Sequence, residues 1–217
     1  TIGQISGKPL NGKITSFSQH DKSFRKAGSK AEMALPDGTF VHLNAATNLE
    51  YDVNNSKQRL VKLSGEAFFD VAKNPDCPFK VIINDLQIEV VGTSFNVKTY
   101  KKDIVETSLL SGRIRISGGS LPHEYTLSPG QKATYSAMDK TLRISKADAH
   151  VEAGWRDDYL IFESTPLIDV IAQIERWYGV EIRLHHKQIA QDLLSGSFRN
   201  ESIQNVIRSL SIQYGFK

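Results

Sequence analysis

The hydrophobic period of the chain changes once, near Trp155, and this change limits the folds that the sequence can adopt. Before that point, short apolar runs are separated by turn residues at the spacing of β-strands. Leu86, Ile88 and Val90 alternate with polar residues, as in a strand with one buried face. After Trp155 the apolar residues recur at helical spacing. The predicted parts are an N-terminal segment over 1–30, an all-β domain over 31–154 and a small α+β domain over 155–217.

The all-β domain is predicted to be a sandwich-like or solenoid-like fold of short strands. Gly65, Gly112 and Gly130 each follow an apolar strand end. These glycines fit either separate hairpin turns and bulges or the repeated corners of a solenoid. The predicted strands lie at 31–35, 39–43, 49–53, 59–63, 67–71, 79–83, 86–91, 95–100, 104–110, 113–117, 125–127, 132–135 and 141–145.

The α+β domain is predicted from two strand-plus-helix units of similar sequence, in the order βαββα. Phe162 and Phe198 occupy equivalent strand positions, and an apolar helical stripe follows each of them. The stripes are Leu167, Val170, Ile171, Ile174 and Tyr178 in the first unit, and Ile203, Val206, Ile207, Leu210 and Tyr214 in the second. In the first unit, Thr165 is predicted to cap the helix, Pro166 to lie in its first turn and Gly179 to end it, and a strand is predicted over 180–184. In the second unit, Asn200 or Ser202 is predicted to cap the helix.

The second unit is also expected to lead into a strand. Gly215 is equivalent to Gly179, which precedes the predicted strand of the first unit. We therefore expect the native domain to continue beyond Lys217. A sheet without those strands has an unpaired edge, which is a natural place for pairing with another chain.

The sequence has no pattern of an ordinary active site, cofactor site or metal site. His185 and His186 are adjacent in sequence, so their side chains point to opposite strand faces and do not share a metal. Glu66 and Asp70 share a strand face, but the phenylalanines between them indicate core packing rather than acid–base chemistry. Cys77 is the only cysteine, so no intramolecular disulfide can form. We predict a protein without enzymatic turnover, cofactor or metal.

Charge and hydropathy argue against a nucleic-acid-binding face and against a membrane-spanning segment in this sequence. The formal net charge is +3, and the basic residues do not form the wide positive face that nucleic acid requires. The denser basic stretch at 22–30 is interpreted as a solvated loop. No apolar run is long enough to span a membrane, and no signal-peptide pattern is present.

Gly92 and Thr93 form the one pair in the sequence whose pattern is typical of a chemical reaction. A hydroxyl that follows glycine can attack the preceding carbonyl and convert the amide into an ester, which water then cleaves. Glycine permits the strained turn and leaves that carbonyl uncrowded. The pair is therefore either a glycine kink between two strands or a site of self-cleavage.

Five ordered motifs of the chain are familiar from known proteins. They are Leu35-Pro36-Asp37-Gly38-Thr39, Gly65-Glu66-Ala67-Phe68-Phe69-Asp70-Val71, Val91-Gly92-Thr93-x-Phe95-Asn96-Val97, Leu127-x-Pro129-Gly130-Gln131 and Glu175-Arg176-Trp177-Tyr178-Gly179-Val180. The first four, in that order, resemble the periplasmic domain of FecR-family sensors, which are transmembrane anti-sigma regulators of Gram-negative bacteria. The C-terminal part, with the fifth, resembles the companion domain of Bacteroidetes members and is similar to the short secretin/TonB N-terminal (STN) fold.

The resemblance implies a role in signal relay. It implies that a TonB-dependent outer-membrane transporter presents its signalling domain to the periplasmic part, which then controls an extracytoplasmic-function sigma factor. The sigma factor is contacted through a cytoplasmic domain and the inner membrane through a helix, and we expect both to be absent from this chain. The partner surface is expected at the domain seam near Trp155, and some relatives cleave themselves at the bond equivalent to Gly92–Thr93.

A glycan-binding β-sandwich is the alternative function. Such modules present exposed aromatic residues on a flat or grooved face. Most aromatic residues of this chain fall at core spacing, and Trp177 lies beside the helical stripe. This pattern favours the relay over the glycan-binding module.

Overall fold

The computed structural model describes residues 21–24, 28–51, 59–184 and 187–214. The predicted features at 1–20, 25–27, 52–58, His185, His186 and Gly215 lie outside these residues. The strands are β1 (Asp21–Phe24), β2 (Ala31–Ala34), β3 (Phe40–Leu43), β4 (Asn48–Tyr51), β5 (Arg59–Ser64), β6 (Glu66–Asp70), β7 (Phe79–Ile83), β8 (Leu86–Val90), β9 (Ser94–Lys98), β10 (Ile104–Ser111), β11 (Ile114–Gly118), β12 (Tyr125–Leu127), β13 (Gln131–Ser136), β14 (Thr141–Lys146), β15 (Tyr159–Pro166) and β16 (Leu193–Arg199). The helices are α1 (Ala149–Ala153), α2 (Leu167–Tyr178) and α3 (Ile203–Tyr214), with short 3-10 turns at Gly154–Asp157 and Lys187–Ile189.

The first fourteen strands form two seven-stranded sheets that share one core. Sheet A has the order β14-β13-β10-β9-β6-β3-β2, and sheet B has the order β1-β4-β5-β7-β8-β11-β12. All pairings are antiparallel except that of β5 with β7. Phe69 in sheet A stacks on Phe95 at 5.1 Å between ring centroids and contacts Phe79 in sheet B at 5.8 Å. The inward faces of both sheets therefore pack against each other.

The predicted mainly β class and the small C-terminal α+β region are confirmed. Every predicted strand of the β region overlaps an observed one. The structure adds β1, which lies in the predicted N-terminal segment and pairs with β4 at the edge of sheet B. Its sequence has no alternating pattern, so only the pairing with β4 shows it. The choice between a sandwich-like and a solenoid-like fold stays a prediction.

The C-terminal region has its own hydrophobic cluster, built by α2, α3, β15 and β16. The two strands pair antiparallel with each other. Gly179 ends α2 in the left-handed conformation, at φ 68°, as predicted. Ser202 caps α3 as one of the two predicted residues, because its hydroxyl accepts from the Asn205 amide at 3.2 Å.

Two predictions for this region are wrong. Residues 180–184 form no strand, so the order is βαβα rather than βαββα. The amide of Ile182 donates to the Glu175 carboxylate at 2.7 Å, which ties this segment back to α2. The start of α2 also differs, because Pro166 takes the N-cap position instead of the first turn. Thr165 does not cap the helix, because the carbonyls of Ala190 and Asp192 accept from the first two helical amides.

Candidate functional site at the junction

The segment that leads into the C-terminal region, formed by α1 and the following 3-10 turn, packs on the outer face of sheet A. Strand alternation sends Phe69 into the core and leaves Phe68 on the outer face of β6. Ala153 and Trp155 pack over Phe68, and both are buried. The Trp155 ring nitrogen donates to Oδ1 of Asn96 on β9 at 3.2 Å. Trp155 thus holds α1 and the following turn against sheet A.

A cleft of about 450 Å³ lies between this outer face and the C-terminal region. Ligand pockets usually have volumes of about 300–1,000 Å³, so the cleft is large enough to hold a few residues of another chain. Sheet A contributes Glu66, Lys98 and Glu106 to its lining. The opposite side is lined by β15 and by Arg176 of α2.

β15 presents a strand edge to this cleft. It pairs with β16 on one side, and no other strand in the described ranges pairs with it. Residues 159–161 and 163–166 line the cleft, so residues of both strand faces border it. This is the arrangement expected when a strand offers its edge rather than one face. Ser164, in the left-handed region at φ 44°, accompanies a shift of register that interrupts the pairing with β16.

The sheet side of the cleft contains a buried carboxylate that is fully paired. The two oxygens of Glu66 accept hydrogen bonds from the side-chain amides of Asn44, at 2.8 Å, and Asn96, at 3.0 Å. Because Asn96 also accepts from Trp155, the network links the carboxylate to the seat of the C-terminal region. Asp70, predicted to share a face with Glu66, binds the Ser94 hydroxyl instead. Glu66 therefore positions neighbouring groups and forms no acid–base pair with Asp70.

A second network joins charged groups of sheet A to α1. The Lys132 ammonium lies 3.2 Å from Glu106 and 2.8 Å from Glu152 of α1. Burial acts to raise the pKa of Glu106, but Lys98 and Lys132 lower that pKa below its ordinary value. Burial likewise acts to lower the pKa of Lys132, but the two glutamates raise it. The Glu106 carboxylate is thus held ionised by its lysine partners, which suits a structural role in the cleft.

Two contacts cross the cleft directly. The Lys101 ammonium lies 2.7 Å from the Asp169 carboxylate of α2. The Arg176 guanidinium lies 4.1 Å from the centre of the Tyr100 ring, a cation–π contact. Burial lowers the pKa of Arg176 and raises that of Tyr100. Sequence analysis missed these residues, because no local pattern indicates contacts between parts of the chain so far apart.

Gly92 and Thr93 lie outside this cleft, in the connection between β8 and β9. Thr93 is buried, and its hydroxyl donates to the Arg113 carbonyl at 3.1 Å. A Cβ atom on Gly112 would lie 2.7 Å from both the Gly92 carbonyl oxygen and the Thr93 hydroxyl. The absence of a side chain at Gly112 allows these two atoms to approach it closely.

The fold and the cleft together define a mainly β protein whose small α+β region is docked on the outer face of one sheet. The family described as FecR protein matches residues 23–115, and the family described as FecR, C-terminal matches residues 159–217. The chain belongs to the FecR family. The likeness of the C-terminal region to an STN domain stays a prediction.

Solved structures agree with this assignment. Two crystal structures of a proposed anti-sigma factor from Parabacteroides distasonis, at 1.65 and 2.50 Å resolution, are similar to this chain. Each is 30% identical to it and matches with a TM-score of 0.81 over 90% of this chain and 92% of its own. No curated protein matches the chain. In the described part of the chain, no helix is long and apolar enough to cross a membrane.

Proposed function

We propose that this chain is the periplasmic, signal-receiving part of an anti-sigma factor. Membership of the FecR family and the similarity to the Parabacteroides protein support this role. In this proposal an inner-membrane helix connects the chain to a cytoplasmic domain that binds an extracytoplasmic-function sigma factor. The periplasmic part itself performs no turnover and acts by binding a protein partner.

The proposed partner is the signalling domain of a TonB-dependent outer-membrane transporter. The unpaired edge of β15 in the junction cleft is the observation that carries this proposal. A strand of the partner can add to such an edge through main-chain hydrogen bonds, while side chains in the cleft give specificity. Trp155, the predicted partner-binding residue, lines the same cleft.

Binding can be tested by a charge placed beside this edge. Ile161 lines the cleft on the strand face opposite the buried side chains of Leu160 and Phe162, so Ile161→Lys puts an ammonium group on the cleft wall beside the edge that the added strand would use. We expect this variant to bind transporter signalling domains at least about tenfold more weakly in calorimetric titration. Ile212→Lys is the matched control, because Ile212 is 79% exposed on α3 and does not line the cleft.

Two results would contradict this assignment. If none of the transporter signalling domains encoded by the same genome binds at micromolar concentration, the proposed partner is wrong. If a domain binds Ile161→Lys and the unchanged chain equally well, the partner is right but β15 is not its site.

We also propose that Gly92–Thr93 is a site of a single self-cleavage. The Thr93 hydroxyl oxygen adds to the Gly92 carbonyl carbon, the peptide C–N bond breaks, and the Thr93 amine takes up a proton. Water then hydrolyses the resulting ester and leaves a carboxylate on Gly92 and a free hydroxyl on Thr93. The resemblance to self-cleaving relatives and the joint approach of Gly92 and Thr93 to Gly112 support this step.

Cleavage can be tested with the purified chain alone. After prolonged incubation we expect a fragment that ends at residue 92, visible by gel electrophoresis and confirmed by intact mass. Thr93→Ala should abolish the fragment, whereas Thr93→Ser retains the hydroxyl and should still form it. A wild-type chain that stays intact over days, or equal fragments from Thr93→Ala, would remove this site.

The glycan-binding alternative has less support. In the described ranges no aromatic side chain is fully exposed, and the exposed large apolar residues are all aliphatic or methionine. A sugar-binding platform needs aromatic rings that face solvent. We therefore do not propose this function.

A further inference from the structure

Residues 28–30, here called the strap, connect an edge strand of one sheet with an edge strand of the other. The strap follows β1, at the edge of sheet B, and precedes β2, at the edge of sheet A. Each of these strands has a single neighbour, β4 and β3 respectively. The strap therefore adjoins two of the four strands in the β region that have only one neighbour among the described strands.

The strap is fastened to the C-terminal region at Gly28. The Gly28 amide donates to the carbonyl of Arg176, near the end of α2, at 2.7 Å. Gly28 has a φ of 78°, which favours glycine, and a Cβ atom there would lie 3.3 Å from the backbone of Tyr178 and Gly179. The backbone of the strap thus lies directly against the end of α2.

Lys30 provides the second fastening. Its ammonium donates to the carbonyl of Trp155 at 2.7 Å and to the carboxylate of Asp158 at 2.9 Å. It also lies 3.5 Å from the centre of the Trp177 ring. The side chain is 27% exposed, so these contacts keep most of it out of water while the strap is fastened. Its contacts span the 3-10 turn after α1 and helix α2.

Three residues that hold the strap also line the junction cleft. Trp155, Arg176 and Trp177 contact the strap on one side and border the cleft on the other. Lys101 and Asp169, 2.7 Å apart, join the two walls of the same cleft. A strand that enters the cleft beside β15 comes between these walls, and we expect it to move α2 away from sheet A.

We propose that the strap is a latch, closed while the C-terminal region is seated on sheet A and opened when a protein strand occupies the junction cleft. This inference rests on the proposed function for the identity of the occupant. Opening removes the partners of Gly28 and Lys30 together, which releases β1 and β2 from their tie to the C-terminal region. The consequence of binding is then carried toward the N-terminal side of the chain, where the proposed membrane helix lies.

The closed latch can be tested without any partner. In Lys30→Met we expect amide hydrogen exchange in β2 to be roughly tenfold faster. The variant loses hydrogen bonds from a charged donor, and the loss of one such bond changes an opening equilibrium by about a factor of ten. The chain has two tryptophans, and both contact Lys30, so their emission should shift as well. Lys30→Arg keeps the positive charge and should restore both signals in part.

Lys101→Met is the matched control for this test. It removes another lysine contact across the junction, but Lys101 is 61% exposed and its ion pair is with Asp169 of α2 rather than with a strap residue. Exchange in β2 should stay at the wild-type rate in Lys101→Met. Equal exchange in Lys30→Met and the unchanged chain, with both folded by circular dichroism, would overturn the latch.

A second arm adds a transporter signalling domain to the unchanged chain. Binding that accelerates exchange in β1 and β2 supports the coupling between cleft and strap. Binding that leaves exchange in these strands unchanged overturns the coupling while the proposed function stands. If no signalling domain binds, the proposed function fails, and the Lys30→Met comparison alone decides whether the closed latch exists.

Discussion

Replacement of Arg59 by methionine is expected to destabilise the β region more than any change at its surface. Arg59 lies at the start of β5 with 5% of its side chain exposed, and it forms an ion pair with Asp37 at 3.2 Å. Its guanidinium also donates to three backbone carbonyls of the connection between β6 and β7, namely those of Ala72, Asn74 and Cys77, at 2.6–3.2 Å. Methionine fills a similar volume but removes the guanidinium from the Asp37 carboxylate, which keeps its two bonds from Thr39, and from these three carbonyls.

We expect Arg59→Met to lower the free energy of unfolding by about 3–5 kcal/mol, the usual cost of removing one partner of a buried ion pair. Denaturant unfolding followed by circular dichroism measures this loss. Arg59→Lys should be intermediate, because a single ammonium keeps the charge but cannot reach several acceptors at once.

Arg113→Met is the control for this prediction. Arg113 is exposed, and its side chain has no hydrogen bond or ion pair among the described residues. Surface changes of this kind usually alter stability by less than about 0.5 kcal/mol. An Arg59→Met variant as stable as Arg113→Met would show that the guanidinium contributes little to holding this connection.

The strands of the β region could be predicted because the sequence signals that specify them are local. Alternation in β8, turn residues between strands and the glycine after α2 act over a few positions, and each appears where it was expected. β1 could not be predicted, because its polar sequence Asp21–Phe24 becomes a strand only by pairing with β4. The same limit explains the missing strand at 180–184, where Glu175 captures a backbone amide instead.

The position of the candidate site along the chain could be predicted, but the residues that form it together could not. The change of hydrophobic period marked Trp155 as the seam, and Trp155 does line the cleft. Its partners are Asn96, 59 positions away, and Lys30, 125 positions away. Because sequence periodicity carries no information about contacts at such separations, neither the cleft nor the strap could be inferred from the sequence alone.

Replacement of Trp155 by alanine is expected to separate the C-terminal region from sheet A. Trp155 is 7% exposed, packs on Phe68 and donates to Asn96. Large-to-small changes at buried tryptophans cost about 3–5 kcal/mol. The core between the two sheets and the cluster around α2 and α3 are distinct, so this loss falls on the contact that joins them. The cleft, which needs both walls in place, should be lost with it.

We therefore expect Trp155→Ala to unfold in two calorimetric transitions, with faster hydrogen exchange in β15 and α2 at temperatures where sheet A stays protected. Binding of a transporter signalling domain should fall at least tenfold with the loss of the cleft. Trp155→Phe is the matched variant, because it keeps most of the packing on Phe68 and loses only the ring N–H, at a cost of about 1 kcal/mol. If Trp155→Ala instead unfolds in one transition at the wild-type temperature, this side chain does not seat the C-terminal region, and the junction must be held by the charged contacts of Lys30, Lys101 and Arg176.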